Sequence, residues 1–395
     1  MRVGSRDAFV VSIAIACLVG APHGCSAFTS DVVPSGDAGG DSGGAAGDGG
    51  GVVACIPHAI TEDAGAPDAS CGGGPGDVDL LSSSGHCGVC DHSCLDEGCE
   101  TGQCRVAEIV PLGFVTNNPP GIGALRNGTL YLAQADTIYR APSAGGAAAV
   151  LLQASTLGTT SLGPPFIARQ RGWTVADQTN LVSFSLLDGG QPQLEAIGKI
   201  GAIATDGDAV YWAGAVDGQV RAAGNDLPIF ADANVQRVLA LAADHDGLYL
   251  MVQPKAAGTG AKLLFRDASG QAVRELLSDL SPPTQLVIED GHLYWADTGG
   301  AVWRMDKSTL EKQPVTQVPS TRPFVKGLVV DAQSVFVMST DDGNGGTVQA
   351  SLHVASKCGG SPRLLRSDSF WGGALLADTH HLYWTHPMAV ARMPK

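Results

Sequence analysis

The stretch "GHLYWADTGGAVWRMDK", residues 291–307, contains the pattern that decides the fold. A short apolar cluster is centred on Tyr294, a polar turn runs from Asp297 to Gly300, and a second run ends at Lys307. Similar clusters recur along the chain, and their equivalent positions are Tyr131, Thr174, Tyr211, Tyr249, Tyr294, Phe336 and Tyr383. The intervals between these positions are 43, 37, 38, 45, 42 and 47 residues. A period of about forty residues is typical of repeat architectures, and its β form is the four-stranded propeller blade.

Each repeat divides into the same four strands. An apolar first strand comes before the aromatic one, and in four repeats it ends in an aspartate five residues before the aromatic position, at Asp206, Asp244, Asp331 and Asp378. A third strand such as "TIYRAP" and a fourth such as "PRLLRS" complete the unit. The aromatic strands are continuous apolar runs, which indicates sheets covered on both faces. We therefore predict an all-β, seven-bladed β-propeller.

The seventh repeat has a third strand, "AVARMP", but no fourth strand before Lys395. The segment "CRVAEIVPLG", residues 104–113, contains a strand that precedes the first repeat. We expect residues 105–111 to pair with the strand around Val390–Met393 and to close the ring. Such closure removes the open sheet edges that favour aggregation.

The composition agrees with this architecture and limits the partners. The chain has 395 residues, 53 of them Gly and 22 Pro, and only 16% are charged, which favours short strands and many turns. The net charge is −15, and no stretch forms a basic stripe. A phosphate backbone requires clustered Lys and Arg, so nucleic acid is excluded as the expected partner.

Residues 1–24 have the pattern of a secretory signal peptide. Arg2 and Arg6 precede an apolar run, Ala8 to Ala21, broken only by Ser12. That run is too short to span a bilayer but suits the core of a signal. A buried amino-terminal strand is the alternative.

The residues after this run resemble those of a bacterial lipoprotein: Gly24, then Cys25 as the lipidated residue, then a flexible tether. Pro22 and His23 depart from the usual lipobox, and Cys17 is a competing site, as is signal removal without lipidation. Cleavage at Cys25 leaves an even number of later cysteines, which favours it in an oxidising compartment. Residues 25–54 then form the lipid anchor and a disordered Gly/Asp-rich linker. We expect a lipid-anchored protein at the outer membrane or extracellular surface, which is secreted if lipidation fails.

Residues 55–104 form a cysteine-rich module. "HCGVCDHSCLDEGCETGQC", residues 86–104, leaves little room for a hydrophobic core, so disulfides or zinc must hold it. The signal sequence favours disulfides. The cysteines assigned to them are Cys55, Cys71, Cys87, Cys90, Cys94, Cys99, Cys104 and Cys358. Because seven of these lie in the module, we expect Cys358, in the third-to-fourth turn of the sixth repeat, to bond to a module cysteine.

Two family resemblances rest on these motifs. The spacing of residues 87–104 resembles the cysteine-rich module of plant stigma-specific proteins, also found in myxobacterial surface lipoproteins, which implies a structural, disulfide-linked extracellular module. "YWAG" (211–214), "YWAD" (294–297) and "YWTH" (383–386) resemble the repeats of YWTD propellers, which implies a binding scaffold. YWTD propellers have six blades, whereas this chain has seven repeats, and only Asp177 and Asp297 keep the acidic fourth position.

One constellation suggests a binding face within residues 105–395, the propeller domain. The second-to-third turns and the loops between repeats should meet at one end of the ring. The candidate residues are Asp136, Asp177, Asp217, Asp297, Asp342, Phe114, Arg237, Arg322, Phe324, Phe370 and Trp371. One interpretation is that Asp simply favours turns and that aromatics plug the blade ends. The other is an acidic face with aromatic anchors for a protein, peptide or glycan.

No pattern points to catalysis. We find no ring of histidines, no paired carboxylates, no G-x-S-x-G elbow and no phosphate loop, and "DDGNGG" (341–346) lacks the distal Glu of a calcium loop. His380, His381 and His386 are expected to be solvated turn residues. We therefore expect a monomeric, non-catalytic scaffold with no cofactor and no metal, in contact with the membrane only through its lipid. The alternative is a propeller enzyme: a lactonase, a lyase or a quinone-dependent dehydrogenase.

Overall fold

A computed structural model describes most of residues 94–395. The described residues are 29–30, 94–95, 97–100, 103–111, 121–225, 227–270, 272–320, 323–341, 350–368, 374–386 and 389–395. Seven four-stranded antiparallel sheets follow one another around a ring, and one of them pairs with a further short strand. The prediction of an all-β, seven-bladed propeller is confirmed.

The first four blades are built from consecutive strands. Their strands are β5 (Gly121–Arg126), β6 (Thr129–Gln134), β7 (Thr137–Pro142) and β8 (Ala149–Gln153) in blade 1; β9 (Phe166–Ala168), β10 (Arg171–Ala176), β11 (Asn180–Ser185) and β12 (Gln193–Ile197) in blade 2; β13 (Ile200–Thr205), β14 (Val210–Gly214), β15 (Val220–Ala222) and β16 (Pro228–Phe230) in blade 3; and β17 (Val235–Asp244), β18 (Gly247–Pro254), β19 (Ala261–Asp267) and β20 (Val273–Leu280) in blade 4. A 3-10 turn, Ala154–Leu157, follows β8 and ends at Gly158, whose φ of 67° is left-handed.

Blades 5 and 6 repeat this order, and blade 7 takes its fourth strand from elsewhere. Blade 5 contains β21 (Pro283–Glu289), β22 (His292–Asp297), β23 (Ala301–Asp306) and β24 (Lys312–Gln317), and blade 6 contains β25 (Pro323–Val330), β26 (Ser334–Asp341), β27 (Ala350–Ser356) and β28 (Arg363–Asp368). Blade 7 contains β29 (Leu375–Ala377), β30 (His381–His386), β31 (Ala389–Pro394) and, as its fourth strand, β4 (Ala107–Pro111). The remaining strands are β1 (Thr29–Ser30), which pairs parallel with β5, and the hairpin β2 (Cys99–Glu100) and β3 (Gln103–Cys104).

The ring is closed by the strand that precedes the first repeat. β4 pairs antiparallel with β31, with Val110 opposite Val390 and Ala107 opposite Arg392. Val110 and Val390 are both fully buried in the apolar cluster between blades 7 and 1. The predicted closure by residues 105–111 is therefore confirmed.

Apolar packing between blades forms the core. Among the described residues, seven apolar clusters each lie between two neighbouring blades. All seven repeat positions found in the sequence lie in second strands, and most are buried, such as Tyr294 and Tyr383. The continuous apolar character of these strands is explained by this packing, because each one is covered by a blade on either side.

The aspartate that ends the first strand caps the turn after it. In blade 7, Oδ1 of Asp378 accepts from the amides of His380 and His381, both at 2.7 Å. Asp206, Asp244 and Asp331 accept from the amides two and three residues further on in the same way. This geometry explains why the sequence repeats an aspartate five residues before the aromatic position.

The second oxygen of this aspartate holds either a tyrosine or the next blade. The Tyr383 hydroxyl donates to Asp378 Oδ2 at 2.6 Å, and the equivalent tyrosine of blade 3 donates to its own aspartate at 3.1 Å. In blade 4 the second oxygen of Asp244 instead accepts from Lys307 Nζ of blade 5 at 2.5 Å, and Lys395 of blade 7 reaches Asp331 of blade 6 at 3.1 Å. These lysines come directly after the third strands, so one repeat position joins adjacent blades.

The cysteine-rich segment packs against blades 6 and 7. Cys94 and Cys104 form a disulfide, and both are buried with Cys99 in the cluster that includes Trp384 and Met393. Cys99 and Cys358 each take part in a disulfide as well. Four of the cysteines assigned to disulfides lie outside the described residues: Cys55, Cys71, Cys87 and Cys90. The predicted signal peptide and Cys25 lie outside them as well. Within the part of the chain that the structure describes, no helix has the length and apolarity needed to cross a membrane.

An ion pair strengthens this attachment. The Glu97 carboxylate accepts from Arg392 Nε at 2.8 Å, and its side chain is only 3% exposed. His381 Nε2 lies 3.8 Å from the same carboxylate. The segment is therefore fixed to the end of blade 7 where β4 enters the ring.

Candidate functional site

The two ends of the ring carry different turns. We call the end with the second-to-third turns the upper face, and the end with the first-to-second and third-to-fourth turns the lower face. Described residues of the predicted binding face are Asp136, Asp177, Asp217 and Asp297, in or beside second-to-third turns, and Arg237 and Phe324, near the starts of first strands. All of them lie at the upper face. Phe114, Arg322, Asp342, Phe370 and Trp371 lie outside the described residues.

The Asp297 carboxylate is committed to its own turn. Its side chain is buried, and it accepts hydrogen bonds from the amides of Gly299 at 2.8 Å and Ala301 at 3.0 Å. Its second oxygen accepts from Trp303 Nε1 at 3.1 Å. Asp297 therefore shapes the turn in which the opening stretch of sequence lies, and its oxygens face protein donors.

Asp177 fastens the loop between blades 1 and 2. Its Oδ1 accepts from the hydroxyl and amide of Thr160, at 2.8 and 3.0 Å, and from the amide of Ser161 at 2.9 Å. The hydrogen bonds from Thr160, together with those from Ser161, hold the pKa of Asp177 below its ordinary value. The carboxylate stays charged at the upper face while it orders this loop.

Asp136 and Asp217 are the exposed members of the set. Asp136 accepts from the Thr137 hydroxyl at 2.9 Å. Asp217 accepts from the Gln219 amide at 3.1 Å and pairs with Arg221 at 3.0 Å. Turn chemistry thus accounts for part of the acidic pattern, yet both carboxylates still add negative charge to the solvent side of the upper face.

Phe324 is half-buried at the start of β25, and Lys326 Nζ lies 4.1 Å from the centre of its ring. The backbone carbonyl of Lys326 accepts from Gln285 Nε2 of blade 5 at 2.8 Å. This cross-blade bond fixes the strand that carries Phe324. The upper face therefore presents the Phe324 side chain from a fixed strand, near the inner edge of the propeller.

The lower-face histidines and acids have structural partners. His380 is exposed, while His381 is partly buried beside Asp378 and Glu97, so the expectation of solvated turns fits the first residue better than the second. His386 ends β30 at the upper face, and its side chain lies outside the described residues. Burial raises the pKa of Glu289, with Lys357 acting in the opposite direction.

One group of described residues has metal-ligating atoms close together. Atoms of Asp244, His245 and Asp246 lie within 4.8 Å of one another. Lys307 Nζ lies between the two carboxylates, 2.5 Å from Asp244 and 2.8 Å from Asp246. An ammonium group already pairs with both carboxylates, so the arrangement joins blades 4 and 5.

No protein-family model matches the chain, and no curated protein is similar to it in sequence. Solved structures do share its fold. The extracellular domain of the putative one component system BT4673 from B. thetaiotaomicron aligns over 73% of this chain and 39% of that one, at 12% identity and a TM-score of 0.54.

Two further structures are similar. A chain of the mitotic checkpoint complex aligns over 74% of this chain and 93% of its own, at 9% identity and a TM-score of 0.52. The computationally designed Ika8 protein aligns over 73% and 99%, at 14% identity and a TM-score of 0.50. At these identities the likeness shows the fold alone: the chain is a seven-bladed β-propeller.

Proposed function

We propose that the chain is a cell-envelope lipoprotein whose propeller is a non-catalytic scaffold that binds a protein, peptide or glycan at its upper face. The supporting observation is the direction in which the chain enters the ring. β4 begins at the lower face, where Ala107 lies opposite Arg392, and ends at the upper face, where Pro111 lies opposite Ala389. The chain just before β4 therefore lies at the lower face, on the side of the ring opposite to the proposed binding face.

The chemistry of the upper face agrees with non-covalent binding. Its described carboxylates either hold turns or face solvent, and Phe324 supplies an aromatic ring on a fixed strand. Aromatic anchors surrounded by polar groups are common in protein interfaces. Two resemblances support the same interpretation, because the YWTD-like repeats imply a binding scaffold and the stigma-specific-type module implies an extracellular, structural part.

A pull-down with the full-length protein tests the upper face. Asp136→Asn combined with Phe324→Ala removes one exposed charge and the aromatic ring, and Asp246→Asn is the lower-face control. We expect the double variant to lose at least about tenfold in affinity for a partner recovered from the surface fraction of the producing organism, since truncated anchors cost about 2 kcal/mol or more. Equal retention by all three proteins would contradict an upper-face site.

The lipid anchor is tested separately. Cells grown with an alkyne-labelled palmitate should label the wild-type protein and not Cys25→Ser, which should appear in the medium or periplasm. Cys17→Ser is the matched control, and it should remain labelled. Loss of label in Cys17→Ser alone would show that Cys17, not Cys25, is the lipidated residue.

A further inference from the structure

Blades 1 and 2 differ from the others at one repeat position on the lower face. Five residues before the repeat position, blades 3, 4, 6 and 7 carry Asp and blade 5 carries Glu289, whereas blades 1 and 2 carry Arg126 and Arg169. In blade 1 the strand pairing at this position is that of blade 4, since Arg126 pairs with Thr129 as Asp244 pairs with Gly247, whereas Arg169 of blade 2 lies in the turn after its strand. This sector of the ring has therefore exchanged negative charge for positive charge at one repeat position.

The turns in this sector form without a carboxylate cap. Asn127 and Gly128 have φ values of 48° and 69°, and Arg169 and Gln170 have φ values of 51° and 60°. Two successive residues with positive φ make a tight hairpin turn by themselves. The arginines are therefore not needed to shape the turn, unlike the aspartates that they replace.

A groove of about 890 Å³ lies between these two blades. Its lining comprises Arg126, Asn127, Thr129, Tyr131, Arg140, Ala141, Pro142, Ala147, Ala149, Gln170, Arg171, Ser185, Leu186, Leu187 and Gln191. Among these described lining residues, three are arginines and none is Asp or Glu. That balance is opposite to the net charge of −15 on the whole chain.

Two of the arginines are held in place by backbone carbonyls. Arg140 Nη1 donates to the carbonyl of Leu187 at 2.6 Å, and Arg171 Nη2 donates to the carbonyl of Gln191 at 2.8 Å. Arg171 Nε also donates to the Ser183 hydroxyl at 3.1 Å. Each guanidinium has five N–H donors, so both keep donors for another group after these bonds are made.

The positive charges of Arg126 and Arg140 both affect Tyr131, a residue that lines the groove. The Tyr131 hydroxyl has a raised pKa because its ring is buried, and the charges of Arg126 and Arg140 both act against that shift. Two carboxylates lie just outside the lining: Glu195 accepts from the Ser183 hydroxyl at 2.6 Å, and Asp188 interacts with Arg140. Arg126 and the remaining donors of Arg140 therefore face the groove as its main charges.

We propose that this groove binds a small organic anion that carries two or more carboxylate or phosphate groups. Guanidinium groups bind both kinds of oxyanion through paired, charge-assisted hydrogen bonds. The amides of Asn127, Gln170 and Gln191 add donors and acceptors for the uncharged part of the ligand. The volume lies within the range of small-molecule sites, roughly 300–1,000 Å³. This site is on the face opposite to the proposed partner-binding face and does not depend on it.

Titration calorimetry on the full-length protein tests the site, with citrate, inorganic pyrophosphate and glycerol as probes. Low ionic strength is needed, because salt screens partly exposed charges. Arg126→Asp gives blade 1 the residue that four other blades carry, so it should fold, and its circular dichroism melt verifies this; Arg126→Gln replaces it if it does not fold. Arg274→Asp, on the exposed outer strand of blade 4, is the matched control for the same change of charge, and Arg274→Gln is the control for Arg126→Gln.

We expect saturable binding of citrate, pyrophosphate or both to the wild type, and none of glycerol. Binding of citrate alone identifies a carboxylate ligand, and binding of pyrophosphate alone identifies a phosphate ligand. Arg126→Asp should weaken binding by at least about tenfold, the effect of losing a charge-assisted hydrogen bond, while Arg274→Asp binds as the wild type does. The proposal is overturned if neither anion saturates the wild type, or if the two variants bind equally.

Discussion

At the scale of single residues, an acidic position that five of the seven repeats carry shapes their part of the lower face. The aspartate caps the turn with one oxygen and holds a tyrosine or a lysine with the other. The sequence shows this aspartate clearly, but not its second partner, because Lys307 and Lys395 belong to a different blade. The sequence does contain a pattern that indicates this lysine partner: in blades 5, 6 and 7 a lysine comes directly after the third strand.

Removing the ammonium group between blades 4 and 5 should destabilise the protein. Lys307 is 15% exposed and Asp244 is fully buried, so Lys307→Met leaves a buried carboxylate without its counter-ion. We expect a loss of about 2–4 kcal/mol in the free energy of unfolding, measured in urea. Lys262→Met, which breaks the exposed pair with Glu275, is the control and should change stability little. Similar small losses in both variants would show that the buried pair does not join the blades.

Asp306 should make stability depend on pH in the acid range. Hydrogen bonds from the Ser308 hydroxyl and from the amides of Thr309 and Ser308 lower its pKa to about 2. A carboxyl with a depressed folded-state pKa stabilises the fold above its unfolded value of about 3.9, and this stabilisation is lost as the pH falls towards the folded value. The difference in urea midpoint between wild type and Asp306→Asn should therefore shrink between about pH 5 and pH 2.5. A constant difference would be inconsistent with the depressed pKa.

At the scale of elements, the strand pattern was predictable and the loops were not. Period, apolar runs and turn residues located the second strands of all seven blades and the closing strand, because each blade repeats the same burial. The predicted binding face depended on turn residues, and their roles were harder to predict. Asp297 was assigned to that face, whereas its carboxylate is buried and caps its own turn. Sequence alone does not distinguish an aspartate that binds its own turn from one that faces solvent.

The closing strand should be essential to blade 7. Val110 is fully buried between blades 7 and 1, so Val110→Asp places an unpaired carboxyl in that cluster. We expect a loss of about 4 kcal/mol or more and aggregation through the exposed edge of β31. Glu108→Gln, an exposed position on the same strand, should behave as the wild type in thermal melts and size-exclusion chromatography. A monomeric Val110→Asp variant that melts like the wild type would show that the strand is dispensable.

At the scale of the whole molecule, the cysteine-rich segment and the propeller act as one unit. Cys94, Cys99 and Cys104 pack with blades 6 and 7, and Glu97 pairs with Arg392 at the lower face. The described residues between 94 and 104 therefore cover part of the lower face, and their packing was not predictable from the cysteine spacing. What could be anticipated was that Cys358 lies on the same rim, in the third-to-fourth turn of blade 6.

The disulfide of Cys358 should join the two parts covalently. Peptide mass spectrometry without reduction should find the peptide of Cys358 linked to a peptide from residues 55–104. Cys358→Ser should lower the thermal midpoint, because the link closes a long loop of chain. A free thiol at Cys358, or a disulfide to a second molecule, would contradict a covalent link between the cysteine-rich module and the propeller.

A crystal structure of the protein tests the central claim, a ring of seven sheets closed by a strand from before the first repeat. We predict seven four-stranded sheets, with Val110 opposite Val390 and residues 107–111 as the outermost strand of the last sheet. A ring with a different number of sheets, or a strand at residues 107–111 paired elsewhere, would contradict it.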